Sequence, residues 1–302
     1  MGFFKQLFGS NSEPTEQDKQ QQEQQRFDMF KYDGVRALRT NQVDFAIKCF
    51  NEALKLHDDL EIHDYLSQAL LRQDDLQGAV NELELLRQAQ PDNIEILIRM
   101  ARIAYMMEDY EKMKEVTDDA LKRDAEDVRA LYENARALKG LGDVTQSIAV
   151  LTQCITICGK EGADETDIIG DATLARGETL LGTGDTKGAD ADADWLLEHT
   201  QDNEDVYLLK ARVEQVKGEN DKALDYYGKV IDVNPFSAPA FKERGAVRLA
   251  MGDKDGAEED MAMATQLDPR EAEDANSQDE SEDAEDIQQK VEQAYRNINP
   301  FQ

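Results

Sequence analysis

Four residue pairs in one stretch of this chain stand 34 positions apart: Gly218 and Gly252, Ala223 and Ala257, Tyr207 and Phe241, Pro235 and Pro269. A fixed spacing of this length from Glu204 to Pro269 implies one structural unit stacked on a copy of itself. The frame extends upstream, because Gly184 and Ala189 lie one period before Gly218 and Ala223. Apolar residues at helical spacing then mark further units from about Gly170, Val128, Ile94, Leu60 and Phe27, for seven in all.

Small and large residues alternate within the frame in a way that two antiparallel helices require. Gly34, Ala101, Ala135, Gly177, Ala211 and Gly245 sit where paired backbones approach most closely, and Phe30, Leu97, Leu131, Tyr207 and Phe241 fill the space beside them. Gly142, Gly184, Gly218 and Gly252 fall where the first helix must end, a place suited to left-handed backbone. Pro91, Pro235 and Pro269 close second helices. The frame breaks between Gly159 and Ile169, where an insertion predicts a longer connection, an extended next helix and a bend in the array.

Composition agrees with helices. Six prolines, 7% aromatic residues and 33% charged residues, with Val and Ile sparse beside Ala, Leu, Glu, Asp, Gln and Lys, argue against a large sheet. The net charge of −31 argues against a nucleic-acid partner, because binding the phosphate backbone draws on a basic face. Three cysteines, Cys49, Cys154 and Cys158, are too few for a disulfide framework and fit a reduced, cytoplasmic compartment. No apolar run approaches the roughly 20 residues needed to span a bilayer.

Phe30, Gly34, Ala46, Phe50 and Ala53, and again Phe241, Gly245, Ala257, Met261, Ala264 and Pro269, resemble the tetratricopeptide repeat. The resemblance covers roughly residues 27–270. It implies an all-α fold, a right-handed α-solenoid of antiparallel helix pairs, acting as a non-enzymatic scaffold that needs no cofactor or metal. Ser67, Met113 and Ser147 depart from the pattern's small positions.

The resemblance also implies that certain first-helix positions line a concave groove. Those positions hold Arg102, Tyr105 and Met106 in the third unit, and Arg129, Tyr132, Arg136 and Lys139 in the fourth. Leu174 and Leu181, Leu208 and Arg212, and Lys242 and Leu249 follow. A basic, aromatic-dotted face of this kind suits a peptide carrying acids and apolar anchors. The same cations equally suit pairing with acids of adjacent helices. The carboxylate clamp of some repeat co-chaperones needs Lys-x-x-Gly-Asn, and Val35 follows Gly34 in place of its Asn.

Chemistry is sparse elsewhere. His57, His63 and His199 lie in different units or off any common helical face. Cys154 and Cys158 share a face but read as core, and Gly182 to Asp185 reads as the turn within a pair. Asp190, Asp192 and Asp194 alternate with alanine, lack the glycine and glutamate of a calcium loop, and read as a solvated helix face.

The flanks differ from the array. Phe3, Phe4, Leu7 and Phe8 cluster on one side of a short helix. They serve either as an amphipathic foot, making the chain a peripheral adaptor at the inner membrane surface, or as a segment that packs on the array. Gly9 to Gln25 is a Gln-rich linker or a solvated helical lead-in, so residues 1–26 precede the array. Residues 271–286 hold nine acids and no base, a self-repelling stretch expected to be disordered and to compete for the groove. Ile287, Val291, Tyr295 and Ile298 place an amphipathic helix in residues 287–302, which caps the array or serves as a tail.

Overall fold

The computed structural model describes residues 15–160 and 166–268. Phe3, Phe4, Leu7 and Phe8, the acidic segment 271–286 and the helix expected in 287–302 lie outside the described residues.

Every regular element among the described residues is an α-helix, and the chain divides into two units. The first, up to Leu141, pairs α1 (Glu16–Arg39) with α2 (Val43–Leu54), α3 (Leu60–Arg72) with α4 (Leu76–Ala89), and α5 (Ile94–Met106) with α6 (Tyr110–Arg123), then ends in α7 (Val128–Gly140). The second begins with α8 (Val144–Cys158). It continues with α9 (Thr166–Gly182) and α10 (Thr186–His199), α11 (Glu204–Val216) and α12 (Asn220–Val233), and α13 (Ala238–Ala250) and α14 (Lys254–Leu267). The division therefore falls at Leu141, between the helices of the fourth expected pair, and not at the insertion near residue 160. α9 runs 17 residues, against 13 in α3, α5, α7, α11 and α13.

α1 is longer still, at 24 residues, because the Gln-rich stretch is helical. Thr15 starts it with a capping box: the Thr15 hydroxyl accepts from the Asp18 amide at 3.2 Å, and the Asp18 carboxylate accepts from the Thr15 amide at 2.9 Å. Residues 16–26 are exposed throughout, and burial begins at Phe27.

The small positions behave as close approaches demand. Gly34, Ser67, Ala101, Ala135, Gly177, Ala211 and Gly245 are all buried. A Cβ on Gly34 would lie 2.6 Å from the Phe50 ring, and one on Gly177 would lie 2.7 Å from Leu209. Second-helix positions Ala46, Ala79, Met113, Ser147, Ala189, Ala223 and Ala257 are buried too, so the departures at Ser67, Met113 and Ser147 still fill core slots.

Within each unit the pairs reverse direction through a two-residue device. The first residue adopts positive φ: Asn41, Asp74 and Glu108 in the first unit, and Gly184, Gly218 and Gly252 in the second, with Gly142 doing so at the division. The second opens the next helix, and in five cases it is an aspartate whose carboxylate accepts a backbone N–H of the first turn: Asp75, Asp109, Asp143, Asp185 and Asp253. Asp59 and Asp127 cap first helices in the same way. Part of the acidic excess is therefore structural, placed where helix dipoles favour negative charge.

Gly218 and Gly228 separate backbone from packing, since a Cβ at either would meet nothing within 4 Å. Gly218→Ala, at φ 79°, is expected to lower stability by about 1 kcal/mol through left-handed strain alone. Gly228→Ala, inside α12, should raise it by about 0.5–1 kcal/mol. Denaturant unfolding of the two variants checks the opposite signs.

Candidate functional site on the first helices

In the first unit, consecutive first helices are tied by charge. Lys31 of α1 reaches Asp59 at 3.1 Å and Glu61 of α3 at 2.6 Å. Arg99 of α5 reaches back to Asp64 of α3 and bonds the Ser67 hydroxyl at 2.6 Å. Arg129 of α7 holds Glu95 of α5 at 2.6 Å and its own helix cap Asp127 at 3.1 Å. Glu61, Asp64, Glu95 and Arg99 also line a cavity of about 400 Å³ with Leu60, Leu86 and Ile96. The basic character read from the third and fourth units thus gives way to acids at the matching places of the second.

Arg102, Tyr105 and Arg136 come together around one buried acid. Glu133, 3% exposed, accepts from Arg102 Nε at 3.1 Å and from Arg136 Nη1 at 2.9 Å. The Arg136 guanidinium lies 3.6 Å from the centre of the Tyr105 ring and 5.6 Å from that of Tyr132, within cation–π range of both. Arg102 is different. Its side chain is 55% exposed, and its terminal nitrogens make no hydrogen bond or ion pair among the described residues. Tyr105 and Met106 stand exposed on the same helix.

In the second unit, Arg212 is consumed internally. It grips Glu243 through two bonds, 2.8 and 2.7 Å, while the buried Tyr227 hydroxyl also donates to Glu243 at 3.1 Å. Arg212, Lys242, Glu243 and Asp268 line a cavity of about 280 Å³. Leu181 and Leu208, read as groove positions, are buried in the core, and Leu174 is half-buried.

One constellation was missed. Arg176, Lys210 and Arg244 stand 34 residues apart; Lys210 is buried, and Arg176 and Arg244 are half-buried. Arg176 clamps Asp192, and Arg244 clamps Asp260, each through bonds of 2.9 and 2.6 Å. Lys210, only 5% exposed, meets Asp190 at 2.6 Å, Asp194 at 2.5 Å and Glu214 at 3.0 Å. Of the α10 aspartates read as a solvated face, Asp194 is exposed and Asp190 partly so, both on Lys210, whereas Asp192 is buried on Arg176. Burial opposes the Lys210 charge, but its three carboxylates outweigh that and raise its pKa, while Asp190 and Glu214 are held below their usual range. The 34-residue spacing of these cations was the available signal.

His63 is another internal ion. Its Nδ1 lies 2.5 Å from Glu82 and its Nε2 2.8 Å from Asp58. Burial disfavours the imidazolium, yet hydrogen bonds to the two carboxylates prevail and raise its pKa above the ordinary value. Cys154 and Cys158 are buried in α8, and no group of three or more His, Cys, Asp or Glu arranged to hold a metal occurs among the described residues. No helix among the described residues is long and apolar enough to cross a membrane.

Antiparallel helix pairs repeating every 34 residues define an α-helical repeat protein. A family model described as tetratricopeptide repeat matches residues 34–94, and the same pair geometry continues through both units. The match makes residues 34–94 similar to tetratricopeptide repeats, and the all-α helix-pair fold extends beyond them on both sides. Among solved structures the chain is similar to a tetratricopeptide repeat protein from Parabacteroides merdae ATCC 43184, with 16% identity, TM-score 0.67, and coverage of 89% of this chain and 98% of that one. It is also similar to PilW, a widely conserved type IV pilus biogenesis factor (19% identity, TM-score 0.62, coverage 70% and 94%). PilF of Pseudomonas aeruginosa matches at 15% identity and TM-score 0.55, with coverage of 71% and 94%. At these identities the likeness is one of fold.

Lys210→Ala leaves Asp190, Asp194 and Glu214 facing one another, and is expected to cost about 3–5 kcal/mol, partly restored by adding Glu214→Gln. Denaturant unfolding of the single and double variants measures both. For His63, the raised folded pKa means that its stabilisation is complete below about pH 6.5, the unfolded value, and is lost as pH rises through the folded value. The thermal midpoint should therefore fall more steeply above pH 6.5 in the intact chain than in His63→Gln.

Proposed function

We propose that the chain is a scaffold whose first-helix face in the first unit binds a partner's peptide segment that presents a carboxylate beside apolar side chains. The observation that carries this reading is Arg102. Among the cations of this face whose bonds are described above, it leaves its terminal nitrogens unspent, and it does so beside the exposed Tyr105 and Met106. A partner carboxylate can take those donors in a bidentate bond while an apolar neighbour covers Tyr105 and the methionine. Arg136 supports the geometry, because its stacking fixes the Tyr105 ring and its bond holds the second oxygen of Glu133. Arg129 and Arg212 act as ties between helices, Tyr132 and Lys139 belong to the surrounding surface of the first unit, and Lys242 lies in the second unit. Residues 271–286 offer carboxylates of the same kind within the chain.

A peptide array probed with the intact chain is expected to favour sequences that combine Asp or Glu with Leu, Phe or Met, with affinity falling as salt rises. Arg102→Ala should weaken the best of these peptides about tenfold, a loss of about 1.4 kcal/mol. Arg212→Ala should leave its affinity unchanged. Equal binding by the intact chain and Arg102→Ala would refute the assignment.

A further inference from the structure

α5 meets its surroundings along one stripe. Between Ile96 and Ala104 only Arg99 and Arg102 escape burial, and Glu95, Arg99, Arg102 and Met106 follow one another at the four- and three-residue steps that keep side chains on a single helix face. Arg102 and Met106 stand toward the end of the stripe, with Tyr105 beside them. Glu95 and Arg99 stand at its start, and both line the cavity of about 400 Å³ formed with the start of α3 and the end of α4.

That cavity has two kinds of wall. Leu86 and Ile96 are buried and give it an apolar base, to which Leu60 adds an exposed apolar edge. Glu61, Asp64 and Glu95 then bring three carboxylates against the one guanidinium of Arg99, which is turned to Asp64 and the Ser67 hydroxyl. Glu61 and Glu95 are each held by a cation that does not line the cavity, Lys31 at 2.6 Å and Arg129 at 2.6 Å, and both side chains remain more than half exposed. A carboxylate offers several acceptor sites, so these bonds leave places for a further donor. An apolar base beneath a surplus of acids matches one kind of side chain, a long aliphatic stem that ends in a cation.

We infer that this cavity is a second subsite of the same face and receives a lysine or arginine of the partner peptide. The inference rests on the Arg102 reading for its anchor and adds a register to it. Glu95 and Arg102 are seven residues apart, about 10 Å along the axis at 1.5 Å per residue. An extended peptide covers that distance in about three residues at roughly 3.3 Å each. Arg102 lies between the cavity and Met106, so the peptide carries its acid in the middle, its apolar residues on one side and its base about three positions away on the other. The net charge of −31 draws any basic peptide to the chain, which makes the position of the base, and not its presence, the signature of the subsite.

The test takes the best acidic peptide of the array and moves one lysine through the six positions on either side of its acid, with binding to the intact chain read by fluorescence anisotropy. Tightening of about tenfold is expected three or four positions from the acid, on the side opposite the apolar residues, and nowhere else. Norleucine at that place keeps the stem without the charge and should tighten binding only about threefold. In Glu61→Gln/Glu95→Gln, where Lys31 keeps Asp59 and Arg129 keeps Asp127, most of the advantage of lysine over norleucine should disappear. A flat scan overturns the subsite, as does a lysine advantage that survives Glu61→Gln/Glu95→Gln, and the Arg102 reading then stands as long as Arg102→Ala weakens the parent peptide. A parent peptide indifferent to Arg102→Ala refutes that reading instead, and the register falls with it.

Discussion

A helix pair of this length cannot bury its apolar faces alone, and that single shortage governs the molecule. Each first helix offers one side to its own partner and another to the pair before it, so stability accrues only at seams between neighbours. Close approach requires small residues both within a pair, where Gly34 of α1 lies against Phe50 of α2, and between pairs, where Gly177 of α9 leaves no room for a Cβ beside Leu209 of α11. Stacking also requires the chain to reverse tightly, which the positive-φ residue and the following aspartate cap accomplish together.

Charge follows from the same stacking. Neighbouring first helices lie close enough for their long side chains to meet, and most arginines and lysines of that face end on an acid one unit away: Lys31 on Glu61, Arg129 on Glu95, Arg212 on Glu243. In the second unit the ions go deeper, and Lys210 is enclosed by three carboxylates. A strongly acidic chain therefore does not present its few cations freely. Arg102 matters because Glu133, shared with Arg136, takes only its Nε.

Much of the fold was legible in one dimension because backbone packing leaves a periodic trace. The 34-residue frame, the glycine turns, the small positions where helices meet and the closing prolines Pro91 and Pro235 are local demands that one residue answers, and the structure places them as expected. The turns of the first three pairs were harder to see, since Asn41, Asp74 and Glu108 adopt positive φ without glycine. The candidate site was legible only in part. Residue types at the inner positions were readable, but whether a guanidinium faces solvent or a carboxylate depends on side chains some 31 to 35 residues away in the chain, as with Arg102 and Glu133 or Arg99 and Asp64.

The sequence by itself determined the repeat, the all-α class, the sites of helix reversal and the chemical types along the first helices, because each of these is written in spacing and local backbone preference. Only the tertiary structure decided which charges are spent. It buried Asp192 on Arg176, set Lys210 among acids that read as a solvated face, closed Arg212 on Glu243, and left Arg102, Tyr105 and Met106 open. The reason is physical: a charge or an apolar side chain is satisfied by what lies beside it in space, and stacking brings those neighbours together from separate repeats.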